Sequence, residues 1–198
     1  MMAPGEDVKE HPLSSQFEFL TLIIPVKCPH VTVVSMNRPL KRNAINAKMW
    51  REIGTCFDRL GTLGDGCRCI LLTGSGKAFC AGIDVSDPSL FPQTTSTLEE
   101  IGGAGDVEDV AHRGLAFLPK ILEMQRCFTA VETCPIPVIA AIHGSCIGAG
   151  VDLACCCDVR ICSSNSIFSI REVRVGLAAG KCWLFLLSSH YSCFRLLE

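Results

Sequence analysis

The chain has 198 residues, 48% of them hydrophobic, which is enough for one domain with a sizeable core. Its formal net charge of −2 gives no basic footprint and sets nucleic acid aside as a partner. No apolar run reaches the roughly eighteen residues needed to cross a bilayer, so no membrane span is expected.

The first residues, "MMAPGEDVKEHPL", carry Glu6, Asp7 and Glu10, whereas mitochondrial presequences are Arg-rich and poor in acids. No secretory signal is visible, and "RLLE" at the end is not a peroxisomal Ser-Lys-Leu terminus. The chain therefore shows no clear targeting signal, and residues 1–16 are expected to form a flexible N-terminus. "FEFLTLII" and "HVTVVSMN" are β-rich runs that predict an antiparallel pair. "NRPLKRNAIN" reads as turn and loop. From Ala47, Met49, Ile53, Cys56, Phe57 and Leu60 recur at helical spacing, with Asn46 as N-cap and Gly61 as stop.

"CRCILLTG" is a short apolar run ending at glycine, which predicts a buried strand followed by the loop "GSGKAFCAGIDV". Residues 86–108 are rich in Ser, Thr, Gly and Pro and read as a mobile excursion. A long helical stretch follows, "DVAHRGLAFLPKILEMQRCFTAVETC", with Pro119 placed to bend or interrupt it. "PIPVIAAIHG" predicts the next buried strand, "GAGVDLACCC" a short helix and "DVRICSS" a further strand. Strand–helix–strand alternation with apolar strands argues for an α/β fold. "KCWLFLLSSHYSCFRLLE" reads as a hydrophobic cap or an altered terminus rather than another layer of the fold.

Fourteen cysteines stand in this sequence, and without a secretory signal disulfides are disfavoured. Neither Cys67-Arg68-Cys69 nor Cys155-Cys156-Cys157 has the paired C-x-x-C spacing of a tetrahedral metal site, so no metal is expected. Most of the thiols sit in apolar company and read as small buried hydrophobes.

The stretch "GSCIGAGVDLACCCD" lacks the Lys-Ser/Thr of a phosphate loop and the third glycine of a dinucleotide fingerprint. What remains is strand, glycine-rich turn and helix start, a geometry that presents backbone N–H groups to a negative oxygen. "GKAFCAGIDV" does the same after another buried strand. Two such loops can converge on one oxygen as an oxyanion hole, which acyl and enolate chemistry requires. Asp152, in the first helical turn, reads either as a dipole-complementing acid or as a pocket carboxylate. Glu172 in "SIREVRVGL", taken alone, reads as a surface ion pair. Joined to Asp152 in one apolar pocket, it would form a pair with raised proton affinity. His143 reads as packing, and neither Ser145 nor Cys146 sits in a nucleophile elbow.

With these residues in order, the sequence resembles the crotonase, or enoyl-CoA hydratase/isomerase, superfamily. The resemblance rests on "MNRPLKRNAIN", "ILLTGSGKAFCAGIDV", "PIPVIAAIHGSCIGAGVDLACCCDVRICS" and "EVRVGLAA". Within it, "AGIDV", "GSCIGAGVDL", "CDVRICS" and an Asp at position 152 look most like the Δ3,5-Δ2,4-dienoyl-CoA isomerases. The resemblance implies an α/β fold of stacked ββα turns, a crotonase-like superhelix whose core would run over residues 17–179. It implies acyl-CoA as substrate and no separate cofactor, coenzyme A being part of the substrate. The thioester oxygen would lie between the N–H groups of Ile83 and Ala149. Ala81, Gly82, Ile83, Asp84 and Val85 would bind the acyl-CoA, with Lys41 and Arg42 as phosphate neighbours.

Glu172 matches the base that removes the C2 proton of a 3,5-dienoyl-CoA, and Asp152 matches a further pocket carboxylate. The family's acid at C6 is an Asp eight residues after the base, where this chain has Gly180. Residues 180–198 diverge from the pattern, so the usual C-terminal helical region is expected to be lacking, with a shortened isomerase as the result. A homo-trimer or hexamer and a mitochondrial or peroxisomal site follow from the family. Two other readings are an enoyl-CoA hydratase, with Asp152 and Glu172 activating water, and a non-catalytic shortened isoform.

Overall fold

A computed structural model describes residues 7–90, 110–170 and 195–197. Nine strands and three α-helices fall within them: β1 (Val8–Glu10), β2 (Leu20–Pro25), β3 (Val31–Met36), α1 (Ala47–Leu63), β4 (Cys69–Gly74), α2 (Val110–Glu132), β5 (Val138–Ile142), β6 (Ser145–Ile147), α3 (Ala149–Cys155), β7 (Val159–Ser163), β8 (Ile167–Ser169) and β9 (Arg195–Leu197). The main sheet runs β1-β2-β3-β4-β5-β7-β9. β2 and β3 pair antiparallel, as the two β-rich runs predict, in the register Leu20↔Met36. From β3 onward the pairing is parallel, with Met36↔Gly74, Leu72↔Ala140 and Ile142↔Cys162 in register. The C-terminal ends of β3, β4, β5 and β7 therefore lie along one edge of the sheet. Ile70 and Leu72 of β4 and Val138 and Ala140 of β5 are fully buried.

Helix α1 forms where its apolar period predicts, with Met49, Ile53, Cys56, Phe57 and Leu60 almost wholly buried. The Asn46 side chain accepts from the Met49 amide at 2.9 Å and caps the helix start. Its stop differs from the expectation. The helix passes Gly61 and ends at Gly64, whose φ of 64° is left-handed. Gly61 serves packing instead: a Cβ there would lie 2.8 Å from the Pro135 ring. Glu52 reaches from α1 to the start of β2, where its two oxygens accept the Glu18 and Phe19 amides at 3.0 and 2.8 Å. α2 stacks Phe128 on Trp50, with ring centroids 4.7 Å apart. It runs through Pro119 without the interruption that the sequence allowed. The missing donor would have met the Leu115 carbonyl, on a turn exposed enough for water to replace it.

The expected flexible N-terminus is structured over the part that the structure describes. Val8–Glu10 pairs antiparallel with β2, and His11 is buried against Asp65 at 2.9 Å. The Leu13 amide donates to Nδ1 of His11, which leaves Nε2 to carry the proton toward Asp65. The three residues of β1 are all exposed, so the strand has no apolar alternation to announce it. Most of the 86–108 excursion lies outside the described residues. Of the expected divergent tail, only β9 is described, paired in parallel with β7.

β6 and β8 form a second, two-stranded parallel sheet in the register Cys146↔Phe168. Three-residue strands carry too little pattern to be read from sequence, and this pair stood unpredicted.

Candidate active site

The loop after β4 is held between two other segments. On one side, the Ala81 amide donates to Arg42 O at 2.9 Å, Ile45 N to Gly82 O at 2.8 Å and Asp84 N to Ile45 O at 2.9 Å. On the other side, Phe79 N donates to His143 O at 2.8 Å, Cys80 N to Ser145 O at 3.0 Å and Ile147 N to Cys80 O at 3.0 Å. The loop thus runs as an irregular strand between 42–45 and 143–147, with isolated bridges Ile45↔Ile83 and Cys80↔Cys146. Ile45 takes up the polar groups of residues 82 and 84. Backbone alternation then turns the N–H of Ile83 away from Ile45.

The opposing turn brings Ala149 to the same place. A Cβ on Gly82, where φ is +94°, would lie 2.9 Å from Ile147 O and 3.9 Å from Ala149 N. Gly148 caps α3 with φ 51° and ψ −121°, and its own amide is fixed by Ser169 O at 2.9 Å. Ala149 is the first residue of α3, a position whose N–H has no intrahelical acceptor. Among the described residues, neither the Ile83 nor the Ala149 amide meets an acceptor. Two backbone donors thus stand on adjoining segments, as an oxyanion hole requires.

Asp152 lies one turn beyond Ala149 on α3 and is 8% exposed. Of the expected binding stretch, Gly82 and Asp84 are buried, Ala81 and Ile83 half-buried, and Val85 exposed. The Asp84 carboxylate turns back into the loop, to Arg38 at 2.9 Å and to Ser86 N at 3.1 Å. Burial opposes its charge, but the Ser86 and Arg38 hydrogen bonds outweigh this and hold its carboxyl below the ordinary range. Lys41 and Arg42 are exposed beside the loop. His143 bonds Gly76 O at 3.1 Å, a packing role as expected. Glu172 and position 180 lie outside the described residues.

Sequence reasoning missed the residues behind the donors. Asn43 is fully buried at φ 55°. Its side-chain NH2 donates to Ser75, Ala78 and Phe79 carbonyls at 2.9, 2.8 and 3.2 Å. The available signal was an Asn inside a turn, the residue type most tolerant of left-handed backbone after glycine. Arg160 of β7, 7% exposed, donates to the Ala154, Cys155 and Cys157 carbonyls and so closes the C-terminal end of α3.

Most of the described cysteines behave as buried hydrophobes. Burial pushes the Cys80 thiol up to about 12, only partly opposed by the Gly82 amide that donates to its sulfur. Cys56, Cys146 and Cys157 are driven up by burial as well. The thiolate is the reactive form, so at pH 8 an alkylating agent should label exposed Cys28 and spare Cys80, Cys146 and Cys157 until denaturant is added. Peptide mapping by mass spectrometry reads this directly, and native labelling of Cys80 would contradict it. The same shifts make stability full below the unfolded thiol pKa of about 8.5 and declining from there upward, because only the unfolded chain releases these protons first. Among the described residues, no three His, Cys, Asp or Glu side chains form a set that could hold a metal ion. None of the described helices is long and apolar enough to cross a membrane.

The chain resembles known proteins in both sequence and fold. The enoyl-CoA hydratase/isomerase family model matches residues 31–190. The mitochondrial Δ3,5-Δ2,4-dienoyl-CoA isomerase of Rattus norvegicus is 44% identical over 150 residues, 76% of this chain and 42% of the relative. The peroxisomal enzyme of that name from Arabidopsis thaliana is 38% identical over 73% of this chain and 48% of its own. This chain therefore spans less than half the length of these relatives. Among solved structures, an enoyl-CoA hydratase from Thermobifida fusca in complex with acetoacetyl-CoA is 30% identical, with a TM-score of 0.63 over 86% of this chain and 61% of that one.

Proposed function

Because this chain belongs to the enoyl-CoA hydratase/isomerase family, we propose that it binds an unsaturated acyl-CoA and shifts its double bonds as a Δ3,5-Δ2,4-dienoyl-CoA isomerase does. The observation that carries this reading is the Ile83–Ala149 pair of backbone donors on two interlocked loops. The thioester oxygen sits between them, and they stabilise the negative charge that develops there when the C2 proton leaves. Glu172 is the base at C2, and Asp152 supplies the second carboxylate of the pocket. Loss of the C2 proton gives an extended dienolate. With Gly180 in place of the family's acid, solvent water returns a proton at C6 to complete the 2,4-diene, Glu172 gives its proton back to solvent, and no cofactor beyond the substrate's own coenzyme A enters. Identity to named dienoyl-CoA isomerases across three quarters of the chain supports the isomerase over the hydratase. Those relatives carry mitochondrial and peroxisomal names, and we assign this chain to fatty-acid oxidation in one of those compartments. The homo-trimer or hexamer of the family is the assembly proposed with it.

The test is to offer a 3,5-dienoyl-CoA and follow the absorbance of the conjugated 2,4-dienoyl thioester, beside a 2-enoyl-CoA assayed for its 3-hydroxyacyl product. Isomerisation without hydration is the expected result, and Gly180→Asp should raise it by restoring an acid at that position. Hydration alone would replace the isomerase with the hydratase. Turnover of neither substrate, by the chain or by the Gly180→Asp variant, would overturn both.

A further inference from the structure

We propose that Arg38 is a positioning residue for the Ile83 amide, acting through Asp84. The inference rests on the reading that this amide polarises a thioester.

Asp84 directly follows Ile83, so whatever fixes Asp84 fixes the plane of the neighbouring backbone. Main-chain bonds already hold its N–H to Ile45 O and its carbonyl to the Asp87 amide, but neither ties its side chain to the 38–45 turn. Arg38 supplies that side-chain anchor. Nη2 lies 2.9 Å from Asp84 Oδ2, and Nη1 donates to Ala44 O. The guanidinium therefore spans the 38–45 turn and the end of the 78–84 loop at once. Two further contacts keep Arg38 itself from moving. Its charge sits 5.1 Å from the centre of the Phe19 ring, and its own amide donates to Asn43 Oδ1 at 2.9 Å.

Both members of the pair are nearly withdrawn from water, with side chains 14% and 8% exposed. Removing one partner there leaves the other charge uncompensated, so the loop end must shift to rehydrate it. A donor displaced by a fraction of an ångström or some tens of degrees loses much of its hold on a developing oxyanion. Neither Arg38 nor Asp84 needs to touch the substrate for this. The Asp84 carboxylate faces Arg38 and Ser86 instead.

The experiment compares the wild-type chain with Arg38→Met, Arg38→Lys and Asp84→Asn. A 2,4-hexadienoyl-CoA carrying 13C at the thioester carbon is bound, and the carbonyl stretch is read by isotope-edited infrared spectroscopy, with Kd measured alongside. In the wild type the stretch should fall on binding. In Arg38→Met at least half of that fall should vanish, while Kd changes by less than about fivefold. Arg38→Lys should recover part of the fall, because it restores the charge but not the fork. In the ligand-free chain, the Asp84 amide should exchange about tenfold faster in Arg38→Met than in wild type.

A full carbonyl shift together with wild-type Asp84 exchange in Arg38→Met would overturn the proposal. If Arg38→Met does not fold, Asp84→Asn, nearly isosteric and uncharged, takes its place in both measurements, and the same pair of results would overturn the proposal. A wild-type chain that binds the ligand with no carbonyl shift would overturn the thioester-polarising reading. The exchange measurement would then still decide whether Arg38 tethers the loop.

Discussion

Replacing Ala149 with proline should lower isomerisation of a 3,5-dienoyl-CoA by about 10²–10³-fold while leaving the melting temperature nearly unchanged. Proline deletes the one group that the reading assigns to Ala149, its N–H. Position 149 opens helix α3, and the first helical position is where proline fits best, because its N–H is an orphan there and its fixed φ is already helical. The residue before a proline is normally forced to extended backbone. Here that residue is Gly148, at φ 51° and ψ −121°, the mirror image of a polyproline-like conformation and open only to glycine. The substitution thus separates the donor from the fold. Ala149→Ser, which keeps the N–H, is the control and should stay within a few-fold of wild type. Equal turnover in the proline variant would show that the Ala149 amide does no polarising.

Gly82→Ala should be costly to folding as well as to binding. The backbone at 82 is left-handed, and the added methyl would stand 2.9 Å from Ile147 O, inside normal contact distance of a fixed carbonyl. Strain of this kind and overpacking each cost about 1–3 kcal/mol, so the sum should be about 2–6 kcal/mol. Denaturant unfolding should show the loss as a lower midpoint at unchanged slope. The clash prises apart the two segments that carry Ile83 and Ala149, so acyl-CoA affinity should fall even in the folded fraction. A variant with wild-type stability would mean that the loops are not held in this contact.

The large elements were legible because their patterns were long. The α1 stripe runs over more than three turns, and its Asn46 cap acts as read. The apolar runs of β4 and β5 end where the sheet edge places them. The two glycine-rich loops could be named as amide-presenting, but their interlocking could not be read. It depends on Ile45 and Asn43, whose backbone and side-chain bonds join segments more than thirty residues apart. An aliphatic residue making main-chain bonds has no chemical signature, and a buried Asn in a turn looks like any surface Asn. Asp84 has a role that its motif does not announce. It stands inside the expected binding stretch, and its carboxylate also closes the loop on Arg38. β1 and the β6–β8 pair were hidden by brevity, since three residues cannot display a period.

Both ends of the segment between Leu90 and Val110 are fastened independently of that segment. On the near side, the Asp87 carboxylate accepts the Ala47 amide at 3.0 Å. On the far side, α2 is pinned to α1 by the Trp50–Phe128 stack and by Trp50 Nε1 donating to Met124 O at 2.8 Å. Neither anchor touches the donors at Ile83 and Ala149. The chain on either side of residues 91–109 thus keeps its place through contacts that do not involve them. A change confined to that segment would therefore leave the described contacts that hold the Ile83 and Ala149 amides as they are.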